Sequence, residues 1–307
     1  MTTTTTSFWR TGRYVSDGGL ETDLIFNRGV DLPEFAAFPL VEQESGREVL
    51  RSYYDDYAAV AKKAGTGLTL ESPTWRASAD WGAKLGYGAA DLDRANRAAI
   101  ALLSELRTAY LADHGVTDVR IIGAVGPRGD GYVAHDVMTA DEATEFHRPQ
   151  VTSLAESGVD VVGAYTLTTV SEGVGIARAA RQVGVPVLIG FTVEVDGRLP
   201  DGTALREAVM QLQVEEDPDG VIVNCAHPEH IAPGLDSGEW LSRIVQVNPN
   251  ASTLSHAELD EAEELDSGDV QLLVSSYETV RTHLPNLSIV GGCCGTDSSH
   301  VAALVGA

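Results

Sequence analysis

The chain has 307 residues, 43% of them apolar and only 6% aromatic, enough apolar material for a sizeable core. Its 45 acidic residues against 21 basic ones leave a formal charge of -24. That sign repels phosphate backbones and anionic lipid, so neither nucleic acid nor a membrane surface is an expected partner.

Residues 1–14 read as an N-terminal extension, partly flexible. The threonine run after Met1 lacks the apolar stretch of a secretory leader, so the expected location is cytoplasmic. From there on, short apolar or β-branched runs alternate with longer helical stretches. A strand over Tyr14–Asp17 precedes an amphipathic helix over Val49–Lys63. A strand over Gly67–Glu71 precedes an alanine- and leucine-rich helix over Asp91–Asp113. Strands over Val119–Val125 and Val159–Ala164 flank a helix over Thr139–Ser157, which opens with a capping-box pattern, Thr139 and Glu142. A helix over Ser171–Val183, a strand over Val185–Val193 and a helix over Asp201–Glu215 come next. Strands over Gly220–Asn224, Arg243–Asn248 and Leu287–Val290, with helices over Asp269–Leu284 and Ser298–Val305, complete the chain. Eight strands alternating with helices, with no change of composition between them, predict an α/β protein with a single (β/α)8 barrel over residues 15–307. An open doubly wound sheet is the alternative.

Three cysteines cannot form a disulfide framework without one left over. On the strand assignments, Cys225 follows the sixth strand, and Cys293 with Cys294 follows the eighth. Both places lie at the C-terminal face of a barrel, where such folds carry their active sites. Three thiolates converging there suit zinc with one open position. Such a centre is electron-rich, so it favours a bound thiolate acting as nucleophile over activation of water. Three small buried thiols without a metal are the plainer alternative. Gly291, Gly292 and Gly295 favour the metal, because they let the backbone aim both neighbouring side chains at one point.

The segment Gly291-Gly-Cys-Cys-Gly-Thr296 with the upstream pair Asn224-Cys225 resembles the homocysteine S-methyltransferase family. That family has betaine-, S-methylmethionine- and folate-dependent members on a zinc-thiolate barrel. Asp17-Gly-Gly-Leu-Glu-Thr22, Thr74-Trp-Arg-Ala-Ser78 and Gly123-Ala-Val-Gly-Pro127 resemble further family segments, so the likeness covers nearly the whole chain. It implies Cys225, Cys293 and Cys294 as ligands of Zn2+, and Asn224 as support for the ligand loop. It implies Asp17 with the amides of Gly18 and Gly19 at the amino-acid end of the thiol acceptor. Thr74 and Trp75 fall in the segment after the second strand, where an aromatic face could stack on a cationic methyl donor. Trp81, beyond them, reads as helix packing.

One departure stands out. Where many members carry a glutamate after the fourth strand to hold the acceptor's amino group, this chain has Tyr165. A phenol hydrogen-bonds an ammonium without neutralising it at pH 7. Glu21 and Glu71 are the candidate substitutes; otherwise the acceptor is not homocysteine. The resemblance implies transfer of a methyl group from a sulfonium, S-methylmethionine or S-adenosylmethionine, to homocysteine or a similar small thiol, giving methionine. A zinc-dependent barrel hydrolase or lyase, or a zinc or thiol sensor without turnover, are the competing readings. His227 and His230 could supply a zinc ligand in place of one thiol but read rather as surface residues or neighbours of the ligand loop. The acidic run Glu258–Asp269 reads as a solvated helix and loop, and a homo-oligomer is possible.

Overall fold

The computed structural model describes residues 7–135, 137–262 and 264–307; the first six residues of the expected extension lie outside the described residues. Eight parallel strands run in chain order: β1 (Tyr14–Val15), β2 (Gly67–Glu71), β3 (Val119–Val125), β4 (Val161–Leu167), β5 (Val187–Phe191), β6 (Gly220–Asn224), β7 (Ile244–Asn248) and β8 (Ile289–Val290). They form a closed barrel, sealed where Tyr14 and Val15 pair with Ile289 and Val290. That pairing excludes the open sheet. Helices Glu44–Ala64, Ala89–Ala109, Ala140–Glu156, Val170–Val183, Leu205–Glu215, Val270–His283 and Ser298–Val305 wrap the outside.

Strands β4 to β7 are buried along their whole length, which is why they are mostly apolar rather than alternating, with Gln246 and Asn248 as buried polar positions in β7. The helices alternate instead. In Glu44–Ala64 the residues Leu50, Tyr53, Tyr54, Tyr57, Ala58 and Ala61 recur at helical spacing and are buried against the sheet, and Gly65 ends the helix in a left-handed conformation. In Ala140–Glu156, Thr139 accepts from the Glu142 amide and the Glu142 carboxylate accepts from the Thr139 amide, so the capping box forms as expected. No described helix is long and apolar enough to cross a membrane.

Inside the barrel, Ile122, Val161, Leu188, Ile222, Val245 and Ile289 form an apolar plug. Phe8 and Trp9 belong to the same cluster, edge-on to each other, with Phe8 also edge-on to Tyr14. The expected boundary after residue 14 thus falls within β1, and the segment before it contributes buried aromatics to the inner core. Towards the C-terminal ends of the strands the inner layer turns polar, with Gln246 and Asn248 fully covered beside Glu71.

Trp9 is 4% exposed, so Trp9→Ala is expected to lower stability by about 3–5 kcal/mol. Urea unfolding reads this directly, and an unchanged midpoint would remove the segment from the core.

Candidate active site

β6 ends at Asn224, and the chain turns at Cys225 with φ of +58°, a left-handed conformation costly for a residue with a Cβ. Four hydrogen bonds hold it there. The Cys225 amide donates to the Asn248 carbonyl at 3.0 Å, and the Cys225 carbonyl accepts from Thr192 Oγ1 and Asn250 Nδ2, each at 3.1 Å, and from His256 Nε2 at 2.8 Å. Across the barrel seam, a Cβ on Gly19 would sit 2.5 Å from the Cys293 carbonyl oxygen, and one on Gly291 would sit 2.6 Å from the Asp17 carbonyl oxygen. Only glycine lets the loops after β1 and β8 approach so closely, and that approach brings Cys293 and Cys294 to Cys225.

The three Sγ atoms lie within 4.8 Å of one another, with those of Cys225 and Cys294 3.6 Å apart. Tetrahedral zinc with Zn–S bonds of about 2.3 Å asks for sulfurs roughly 3.8 Å apart, so the residues fit the ion. The acid–base chemistry agrees. Hydrogen bonds from Cys293 and Cys294 hold the Cys225 thiol well below the ordinary range; contact with Cys225 pushes Cys293 well above it and Cys294 up to about 12. These contacts favour a proton on Cys293 and on Cys294, and a cation beside them would favour their ionised forms. Among the described residues these three form the sole group of histidine, cysteine and acidic side chains arranged to hold a metal.

The thiols open into a cavity of about 450 Å³, the size of a small-molecule site. Asp17, Glu21 and Glu71 line it. Glu71 accepts from Ser16 Oγ at 2.6 Å, Gln246 Nε2 at 2.8 Å and Asn248 Nδ2 at 3.2 Å, and Tyr165 also hydrogen-bonds to it. Loss of water raises the carboxyls of Asp17 and Glu71 together; Asp17 goes well above the usual range, with the neighbouring Glu71 charge adding to it, whereas the four donors oppose the rise at Glu71. Burial, with charge at Cys294 adding to it, pushes Glu21 up to about 7. Burial and Glu71 push the Tyr165 hydroxyl well up, so it remains a hydrogen-bond donor.

The sequence-derived residues therefore assemble, with two qualifications. Thr74 is fully buried, its hydroxyl donating to the Ala124 carbonyl at 2.7 Å, and it does not line the cavity. The Gly19 amide, expected to meet a carboxylate, donates to the Thr296 carbonyl at 3.1 Å. Trp75 lines the cavity, held by its indole N–H donating to the Tyr165 carbonyl at 3.2 Å. Asn224 donates from Nδ2 to Thr166 Oγ1 at 2.8 Å, accepts from the Thr166 amide at 2.9 Å, and lies 3.9 Å from Cys293 Sγ. His227 caps the short helix Pro228–Ile231 and is no ligand here. Part of the acidic run, Asp260, Glu264 and Asp266, walls the cavity instead of facing only solvent. Sequence reasoning missed Tyr132, whose hydroxyl lies 3.5 Å from Cys225 Sγ and whose ring stacks on His256 at 4.2 Å. It also missed Gln246 and Asn248. Neither pair carried a local motif.

A family model described as homocysteine S-methyltransferase matches residues 14–307. The homocysteine S-methyltransferase of Escherichia coli (strain K12) is 28% identical over 306 residues, covering 94% of this chain and 93% of that one. A second relative, homocysteine S-methyltransferase YbgG of Bacillus subtilis, is 24% identical, covering 94% and 91%. A selenocysteine Se-methyltransferase of Brassica oleracea var. italica is also 24% identical, covering 96% and 88%. Among solved structures, the metallated form of the Escherichia coli homocysteine methyltransferase MmuM has the same fold, with a TM-score of 0.75 at 22% identity over 97% of this chain and 96% of that one.

Asn224→Ala would leave the buried Thr166 amide without its partner, at a cost of about 1–3 kcal/mol in urea unfolding. It should also weaken metal binding roughly 10- to 100-fold in a chelator competition. Unchanged metal affinity would show that Asn224 does not support the thiol cluster.

Proposed function

The chain belongs to the homocysteine S-methyltransferase family, and from this we propose that it is a zinc-dependent enzyme moving a methyl group from a sulfonium donor to the thiol of homocysteine, giving methionine. The observation that carries the reading is the convergence of three thiols on a cavity lined by carboxylates, Asp17, Glu21 and Glu71 among them. Cys225, Cys293 and Cys294 hold the zinc, which when bound keeps the acceptor's sulfur as thiolate, the state that attacks carbon. The remaining work is positioning. Asp17 and Glu71 hold the acceptor's ammonium, with Glu71 serving where the family resemblance places a glutamate and this chain has Tyr165. The Gly18 amide faces the acceptor's carboxylate. Trp75 offers an aromatic face to the donor's sulfonium, and Glu21 supplies the countercharge.

In the transfer, a bond forms between the acceptor sulfur and the methyl carbon. The donor's sulfur–methyl bond breaks with its electron pair staying on the donor, which leaves as a neutral thioether. A sulfonium carries its own leaving group, so the enzyme has only to align the two sulfurs with the methyl between them. S-methylmethionine and S-adenosylmethionine both meet that requirement. The selenocysteine acceptor in the name of the Brassica relative calls for the same arrangement, a soft nucleophile on an α-amino acid. A hydrolase or lyase reading has no histidine or carboxylate grouped with the thiols as a metal ligand among the described residues to support it. We place the enzyme in the cytoplasm, where thiols stay reduced.

Elemental analysis of freshly purified, reduced protein should find about one zinc per chain, little in Cys293→Ser, and an unchanged content in His227→Ala. The parent should form methionine from homocysteine and S-methylmethionine, and Cys294→Ser should not. Protein that takes up no zinc even after reloading would sink the mechanism.

Glu21 is ionised only above a pH of about 7, and a neutral carboxyl does not attract a cation. The KM for the donor should therefore fall as pH rises from 6 to 8, by about tenfold. In Glu21→Gln it should stay high and flat. A parent KM independent of pH would remove Glu21 from the donor site.

A further inference from the structure

The chain carries more than two carboxylates for each basic residue, and nearly every arginine has found one. Among the described residues, three arginines make no ion pair within 4.0 Å. Two of them, Arg10 and Arg13, are exposed to water. The third, Arg76, is partly covered and lines the active-site cavity. No hydrogen bond reaches its guanidinium, and its Nε is buried without a partner. The side chain is nonetheless held in place. Its guanidinium carbon lies 3.5 Å from the ring centroid of Trp81 and 5.0 Å from that of Trp75, with Phe35 at 5.9 Å. Phe35 and its neighbour Glu34 both adopt left-handed backbone angles, φ of +56° and +57°, so that wall of the cavity is built under strain.

A guanidinium fixed on an aromatic platform with its donors unused is set to accept a planar anion through two parallel N–H···O bonds. The acidic groups nearest in effect, Glu21, Asp130 and Glu34, act on it only through space. They leave its donors free and exclude a polyanion such as a phosphate chain from the same mouth. One carboxylate on an otherwise cationic ligand fits this charge pattern. In the reading above Asp17, Gly18 and Glu71 take the acceptor's amino-acid end, so the arginine remains for the donor.

We propose that Arg76 binds the carboxylate of the methyl donor, so that the donor is an amino-acid sulfonium held at both ends: carboxylate on Arg76, cationic groups on Glu21 and Asp130. This rests on the methyltransferase reading above and deepens it by naming the residue that holds the donor's carboxylate. A donor without a carboxylate near its sulfonium forfeits the contact and meets an acidic mouth with nothing to orient it. Trp81 acts through Arg76, as a positioning residue.

The test compares S-methylmethionine with its carboxamide on the parent, Arg76→Lys and Arg76→Met, the last keeping an apolar stem on the tryptophans. In the parent, the amide should show a KM at least tenfold above that of S-methylmethionine. Arg76→Met should raise the KM for S-methylmethionine by a similar factor, leave that for homocysteine within twofold, and no longer discriminate between the two donors. Arg76→Lys should fall between them. If the arginine only packs against the tryptophans, the acidic cavity should prefer the more cationic amide in every variant, and that result overturns the proposal. A raised KM for homocysteine in Arg76→Met also overturns it. Calorimetric binding of the two donors to the parent without acceptor decides the matter independently of turnover. Preference for S-methylmethionine there, in a protein that transfers no methyl group, would keep the donor site and discard the reaction; equal binding would discard the site. Should Arg76→Met fail to fold, the donor comparison on the parent and on Arg76→Lys carries the same signs.

Discussion

Three sulfurs held within 4.8 Å of one another cannot all be charged unless a cation joins them, and most of the surrounding structure answers to that constraint. Two unit charges 4 Å apart repel by about 4 kcal/mol at an effective dielectric near 20. Here the sulfurs stand beside Asp17, Glu21 and Glu71, with Asp130, Asp260, Glu264 and Asp266 along the cavity wall. The backbone, not the side chains, imposes this crowding. Cys225 sits in a left-handed turn pinned through its carbonyl by three donors, and glycines at 19 and 291 let the β1 and β8 loops close to a separation that no Cβ would permit. A site preorganised in this way attracts cations of any kind, and the two that the reading requires are a metal and a sulfonium.

Much of the fold was legible because a parallel barrel buries both faces of its strands. β2, β3 and β6 are continuous runs of β-branched and apolar residues between polar or glycine breaks, and their ends fall where the sequence put them. β1 ends earlier than expected because the chain leaves the sheet at Ser16 to build the site, whereas β8 begins two residues late, at Ile289, and ends at Val290 as expected. Phe8 and Trp9 were read as part of an extension because two aromatics in a polar stretch carry no period; only the closed barrel offers them an apolar floor.

The site divides in the same way. The thiols were legible because each follows a strand end, and in a parallel barrel all strand ends of one kind share a face. Glu71 was legible as a strand-terminal acid, but its donors were not. Gln246 and Asn248 lie 175 and 177 positions away and meet Glu71 only through closure of the barrel. Tyr132 rests on a loop with no periodic signal, and its relation to His256 is a stacking contact across the cavity wall. Arg76 was visible only as the middle of a tryptophan-containing segment; what sets it apart is a missing ion pair, which no sequence displays.

The exchange of an expected glutamate for Tyr165 follows from the same geometry. Inward-facing positions on different strands point at one axis, so a carboxylate given up on β4 can be supplied from β2 without changing what lies at the centre. The donors then have to be rearranged around the new position. Ser16, Tyr165, Gln246 and Asn248 all turn towards Glu71, and Tyr165 thereby becomes a prop for the carboxylate. Those four bonds favour the charged form of Glu71, whereas Asp17, buried and facing that charge, keeps its proton to higher pH. An arriving ammonium would be met by that charge and would lower the cost of ionising Asp17 as well, so the second carboxylate strengthens the site only when a cation is already in it.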